Sequence, residues 1–189
     1  MQTRFFSLPS ALLLTLALLV AACDSTDPGE DGAGEEEVIS NVTISLENTT
    51  DNSTVTAEAI FNEAGVKQSA DTLRLTAGTT YQGTITLRDR FSNEDITAEI
   101  EDERDEHQFF YELLGELANA ASIVITDTDS NGYPVGLSFS VNVAPVPDER
   151  SGDVRVVLGH YDERPKEAGE TISDIPETDI DFTYPAVIE

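Results

Sequence analysis

Among the 189 residues, the segment with the densest chemistry is Asp127-Thr128-Asp129-Ser130-Asn131-Gly132-Tyr133. It resembles the opening of a calcium loop, D-x-D-x-N-G-x, in which carboxylates at alternate positions and a glycine at the sharp turn wrap oxygens around a hard cation. Asp127, Asp129 and Asn131 would supply side-chain oxygens and Tyr133 a carbonyl. Ser138 stands where such a loop carries its bidentate glutamate, and the flanks read as strands rather than helices. The competing reading is a turn whose Asp side chains accept N–H groups just ahead, with Asn131-Gly132 tolerating positive φ. The turn is the stronger reading, and calcium is the cofactor this loop would take. On the turn reading, Gly132→Ala is expected to cost more stability than Asp129→Asn.

The two histidines form a second candidate. His107 lies in Asp105-Glu106-His107-Gln108 and His160 in Gly159-His160-Tyr161-Asp162. If their strands are neighbours, both imidazoles and one carboxylate suit zinc. The alternative is a pair of polar strand ends hydrogen-bonded to backbone or carboxylate. There is no G-x-S-x-G elbow, H-E-x-x-H helix or phosphate-gripping glycine loop. Carboxylates are so abundant that proximity alone does not identify a glycosidase-type pair.

The elements that must position these groups read as strands. Apolar residues alternate with polar ones at Val42-Ile44-Leu46, Val55-Ala57-Ala59, Tyr81-Gly83-Ile85-Leu87, Leu137-Phe139-Val141-Val143, Val154-Val156-Leu158 and Ile180-Phe182-Tyr184. Period two is the mark of strands with one face on a core and one in water. Ile96-Ala98-Ile100 alternates in the same way. Phe109 to Leu114 is apolar except for Glu112, Ser122 to Thr126 is a β-branched run, and Thr72 to Leu75 reads as an edge strand after a loop around Gly65. Turn residues separate these runs. The expected fold is all-β: a two-sheet sandwich, immunoglobulin-like or related, of roughly seven to nine strands. Glu112 to Ala121 holds helix formers, so a short helix is expected near 112–120.

The chain starts with one Arg and an apolar stretch, and Ala11 to Ala22 is too short to span a bilayer, which takes about 20 residues. Residues 1–22 therefore read as an export signal. Its end, Leu19-Val20-Ala21-Ala22-Cys23, resembles the lipobox of bacterial lipoproteins, with Cys23 as the lipidated residue and first residue of the mature chain. A lone thiol in an exported protein is otherwise a liability that thioether formation removes. Residues 23–37 contain an acidic Gly/Pro/Ser run that cannot build a core and reads as a disordered tether. Residues 38–189 show no composition break and read as one domain. The expected location is the bacterial cell envelope, outer membrane or cell surface favoured, with the bilayer as partner through Cys23.

Thirty-seven acids oppose ten basic residues, for a net charge of −27. Such a surface repels nucleic acid and excludes that class of partner. Lys67 and Lys166 are the only lysines. The pattern is similar to that of proteins from salt-adapted microbes; the rival reading is an anionic surface that gathers divalent cations or a cationic partner.

From Val38 to Ile188 the chain resembles uncharacterised β-rich lipoproteins of the Bacteroidota and their salt-loving relatives, sometimes labelled periplasmic-binding-fold proteins. The likeness rests on Ala77-Gly78-Thr79-Thr80-Tyr81, Asp105 to Tyr111, Asp127 to Gly132 with Pro134 to Leu137, Leu158-Gly159-His160 with Lys166, and Glu177-Thr178-Asp179-Ile180. The relatives tend to carry a basic residue where Gly159 stands. The resemblance implies a lipid-anchored β-domain and no particular reaction.

Three functions fit these observations. The first is a noncatalytic envelope or surface domain that binds another envelope protein or a glycan. The second is a calcium-dependent module built on Asp127. The third is a secreted hydrolase using a carboxylate pair that no motif marks.

Mass spectrometry of the mature N-terminus should find a diacylglycerol-modified Cys23; a free thiol or another first residue contradicts it. The denaturation midpoint should climb with monovalent salt to molar levels, because screening shortens from roughly 8 Å at 0.15 M to 3 Å at 1 M; a flat midpoint contradicts it.

Overall fold

The computed structural model describes residues 38–189. The export signal, Cys23 and the tether lie outside these residues. No helix among the described residues is long and apolar enough to cross a membrane.

The described chain folds as two packed sheets. Strands β1 (Asn41–Asn48), β2 (Thr54–Phe61), β3 (Lys67–Ala70), β5 (Thr80–Arg88), β7 (Ala121–Ile125) and β8 (Ser138–Val143) form the first, in the order β3-β2-β1-β5-β8-β7. Strands β4 (Leu73–Leu75), β6 (His107–Gly115), β9 (Arg150–His160) and β10 (Glu177–Ile188) form the second, in the order β4-β10-β9-β6. All pairings are antiparallel except β4 with β10. The alternating apolar residues meet between the sheets as one core: Val42, Ile44 and Leu46 of β1 and Ile85 and Leu87 of β5 pack within the same cluster as Val154, Val156 and Leu158 of β9 and Phe182 and Tyr184 of β10. The Tyr184 hydroxyl crosses to the first sheet and donates to the Val42 carbonyl at 2.8 Å. Gly83 leaves room for the Phe139 ring, which covers the space a Cβ there would take.

The two-sheet sandwich agrees with the alternation; three details do not. The described residues form ten strands, because Lys67–Ala70 adds a short edge strand within the segment expected to be a loop. Ile96–Asp102 is an α-helix, α1, not a strand. Ile96 and Ile100 are one helical turn apart and both buried, while Ala98 between them is exposed, so period four wins over period two. Thr97 fastens the helix to β5, its hydroxyl accepting from Leu87 N–H at 2.7 Å. Third, the short helix expected near 112–120 is confined to Glu116–Asn119, a 3-10 helix, because Glu112 to Gly115 complete β6. Leu113 and Leu114 gain more as rungs opposite Val154 and Asp153 of β9 than as parts of a two-turn helix.

Candidate functional site

Three neighbouring strands of the second sheet converge on one cluster. β6 pairs with β9 so that His107 stands directly opposite His160, and His160 is also opposite Glu177 of β10. His107 continues the inward column of Phe109, and His160 that of Val156 and Leu158, so both imidazoles sit at the end of the core. Their rings stack, with centroids 4.4 Å apart and planes 18° apart. His107 is wholly buried.

Asp179 joins them through a backbone irregularity. In β10 the inward residues are Ile180, Phe182 and Tyr184, and strict alternation would turn Asp179 away from them. A bulge between Thr178 and Ile180 inserts Asp179 as an extra residue and re-aims its carboxylate. Its side chain is only 8 % exposed, with Oδ2 3.7 Å from His107 Nε2 and Oδ1 3.6 Å from His160 Nδ1. The three groups can coordinate a metal ion as a set, their ligand atoms lying within 4.8 Å of one another.

Burial pushes the His107 imidazole down to about 4, with the neighbouring His160 and Lys166 acting in the same direction and the Glu103 carbonyl opposing them. The ring is therefore neutral near pH 7. Its Nδ1 lies 3.3 Å from the Glu103 carbonyl. A carbonyl only accepts, so the tautomer assigned from this contact carries its proton on Nδ1 and turns the Nε2 lone pair toward Asp179. A cleft of about 520 Å³ adjoins Asp179, walled by Ile39, Gly65 and Ile180, with Glu63 and Glu177 at its sides.

The other sequence candidate, the turn at Asp127 to Tyr133, sits beside this cluster and has a different centre. Asp129 is buried and accepts from Asn131 N–H at 2.8 Å and Tyr133 N–H at 2.9 Å. Its other oxygen lies 2.9 Å from the ammonium of Lys166. That ammonium also donates to the carbonyls of Arg104 (2.6 Å), His107 (2.9 Å) and Pro134 (3.1 Å). Four oxygens thus surround a cation, and the cation is a side chain. Burial raises the Asp129 carboxyl, but Lys166 and the Tyr133 and Asn131 N–H groups outweigh it and hold the pKa below the ordinary value. The Tyr133 carbonyl accepts from Asp129 N–H, and Asp127 is spent on Gly136 N–H at 2.9 Å with Arg104 4.0 Å away. Asp127, Asp129, Asn131 and Tyr133 are thus a turn braced by hydrogen bonds around Lys166. The histidine cluster and this turn share His107, whose side chain serves one and whose carbonyl serves the other.

Sequence reasoning brought the two histidines and an unnamed carboxylate forward, but assigned neither Asp179 nor Lys166 to a site. Asp179 is hidden by the bulge. Lys166 stood out by its rarity, one of two lysines in a chain of net charge −27, and within the resemblance beside His160, but neither signal gave it a role in a site. Compared with protein-family models, curated proteins and solved structures, the chain matches none.

The turn geometry reverses the expected mutational order. Gly132 has φ +87° with open space around it, so Gly132→Ala costs only backbone strain of about 1 kcal/mol. Asp129→Asn removes a buried partner of Lys166 and should cost about 3 kcal/mol or more; chemical denaturation of both variants checks the order. The His107 shift has its own signature. The folded pKa lies below the unfolded value of 6.5, so the unfolded chain takes up the proton first. Stability should be complete above pH 6.5 and fall by up to about 3 kcal/mol as pH drops toward 4. Denaturation of metal-free protein at fixed ionic strength should show this loss, and His107→Gln should flatten that window.

Proposed function

We propose that this protein is a lipid-anchored envelope protein whose β-sandwich binds a divalent transition metal, zinc foremost, through His107, His160 and Asp179. The observation that carries the reading is the surroundings of His107. Metal-binding histidines typically donate their second ring N–H to a carbonyl or carboxylate, which fixes the tautomer and aims the free lone pair. The Glu103 carbonyl is placed for that role, and burial keeps the ring neutral. Two imidazoles and a carboxylate are a donor set suited to zinc, whereas calcium prefers six to eight oxygens. Tetrahedral ligands about 2.1 Å from zinc lie roughly 3.4 Å apart. The three ligand atoms, one from each residue, lie within 4.8 Å of one another, so the set contracts toward that spacing when a metal enters.

Three protein ligands leave a fourth position for water or a bound partner group, the arrangement of sites that act on something beyond the metal. The cleft beside Asp179, with Glu63 and Glu177 along it, offers a route that favours cations. The envelope anchor rests on the lipobox-like Val20-Ala21-Ala22-Cys23, and the resemblance to β-rich envelope lipoproteins supports the same placement.

Calorimetric titration of the full chain in detergent and excess monovalent salt tests the metal reading. One equivalent of zinc should bind with micromolar or tighter affinity, and His160→Ala and Asp179→Asn should each weaken it by more than about tenfold. Absence of zinc binding, or stoichiometric calcium binding in its place, contradicts the proposal.

A further inference from the structure

A second cavity, of about 710 Å³, is lined by none of His107, His160 and Asp179. It runs beside β6, between the β9–β10 connection at Ile172 and the edge strand β7 at Ile123, and is lined by Gln108, Phe110, Glu112 and Arg155. Gln108, Phe110 and Glu112 alternate with the core residues of β6, so the groove follows the outer face of the second sheet. β6 is the last strand of its sheet and β7 the last of the other.

Among the described residues, the β6 edge is closed along its first part only. The His107 carbonyl takes the Lys166 ammonium, and Phe109 N–H donates to the Val135 carbonyl. In an antiparallel pair every second residue turns its N–H and C=O away from its partner. The outward set that includes Phe109 continues at Tyr111 and Leu113, where no further strand of the described residues is paired. Natural edges are commonly blunted by lysine, proline or a bulge. This stretch, Tyr111-Glu112-Leu113, has no lysine or proline, and its pairing with β9 is regular.

Gln108 adds an unmet demand beside that edge. It is 5 % exposed, yet its buried Oε1 has no hydrogen-bond partner. A buried amide oxygen left without a donor costs stability, and an apolar side chain of similar shape would not. The groove's charges set the sign of what it takes. Arg155 is engaged by Asp181 at 2.7 Å and Glu112 at 3.2 Å, and Arg164 by Glu170 at 2.6 Å. With the local cations spent on these pairs, the surplus of acids over the whole chain leaves the surrounding field negative.

We propose that this groove binds an extended, basic polypeptide segment that adds a strand to β6 at Tyr111 and Leu113. An apolar residue of the segment rests on Phe110 and Ile172, and a backbone N–H draws the Gln108 amide into hydrogen bonding. Strand addition supplies affinity from main-chain bonds and selectivity from alternate side chains. The site is independent of the metal reading.

The test is selection of short random peptides displayed on phage against the full chain in detergent, with counter-selection against Ser173→Trp, an exposed substitution that fills the groove. Enriched peptides should alternate apolar and Lys or Arg residues. They should slow hydrogen exchange at the Tyr111 and Leu113 amides, and lose binding when N-methylated on one edge but not on the other. Gln108→Met should weaken the selected peptides by about tenfold while leaving the melting temperature equal or higher, an opposition that a purely structural glutamine would not produce. Failure to enrich any peptide over Ser173→Trp overturns the proposal. So does enrichment that protects other amides, or binding on a glycan array that Ser173→Trp abolishes.

Discussion

The ammonium of Lys166 is the interaction on which both ends of the account depend. Burying a lysine is costly, and the cost is offset only if the charge is paired and its donors are used. Here Asp129 supplies the charge, and the carbonyls of Arg104, His107 and Pro134 take up the donors. One side chain therefore joins the entry to β6, the turn between β7 and β8, and the connection between β9 and β10. It pins the backbone that carries His107, adds to the forces that keep that imidazole neutral, and caps the β6 edge up to the point where the groove begins. The connection it anchors runs from His160 to β10 and Asp179, so two candidate ligands flank a segment held at its middle.

The second constraint is the β10 bulge. A regular strand would place Asp179 on the outer face, leaving two stacked imidazoles at the end of the core with no acid turned inward beside them. One inserted residue changes that without disturbing the column of Ile180, Phe182 and Tyr184 below it. Three adjacent strands then contribute one group each, and a hydrogen-bonded sheet holds such groups more firmly than loops would. The negative field of the whole molecule acts on both sites, drawing cations to the cleft at Asp179 and basic segments to the groove at Gln108.

Much of this architecture is legible from residue order. Period-two alternation marks β1, β5, β8, β9 and β10 because each has one face on the core. It misleads at Ile96 to Ile100, where a polar-apolar run fits a single helical turn as well as a strand and only packing decides. The oxygen-rich turn at Asp127 to Tyr133 is visible, and its attraction for a cation is sound physical chemistry. The cation itself comes from Lys166, whose approach is a property of the fold and not of the spacing. His107 and His160 stand out by rarity, but their register is set by the β6–β9 ladder, which local sequence does not specify. Asp179 is the least legible, since a bulge breaks the alternation from which a side chain's face is read.

The central claim is that His107, His160 and Asp179 together hold one metal ion, and the most direct measurement is X-ray absorption at the zinc edge on the zinc-loaded full chain. The expected result is a four-coordinate shell with two imidazole nitrogens and oxygen ligands at about 2.0–2.2 Å, reduced to one imidazole in His160→Ala. An all-oxygen shell without imidazole scattering, unchanged by that substitution, would contradict it.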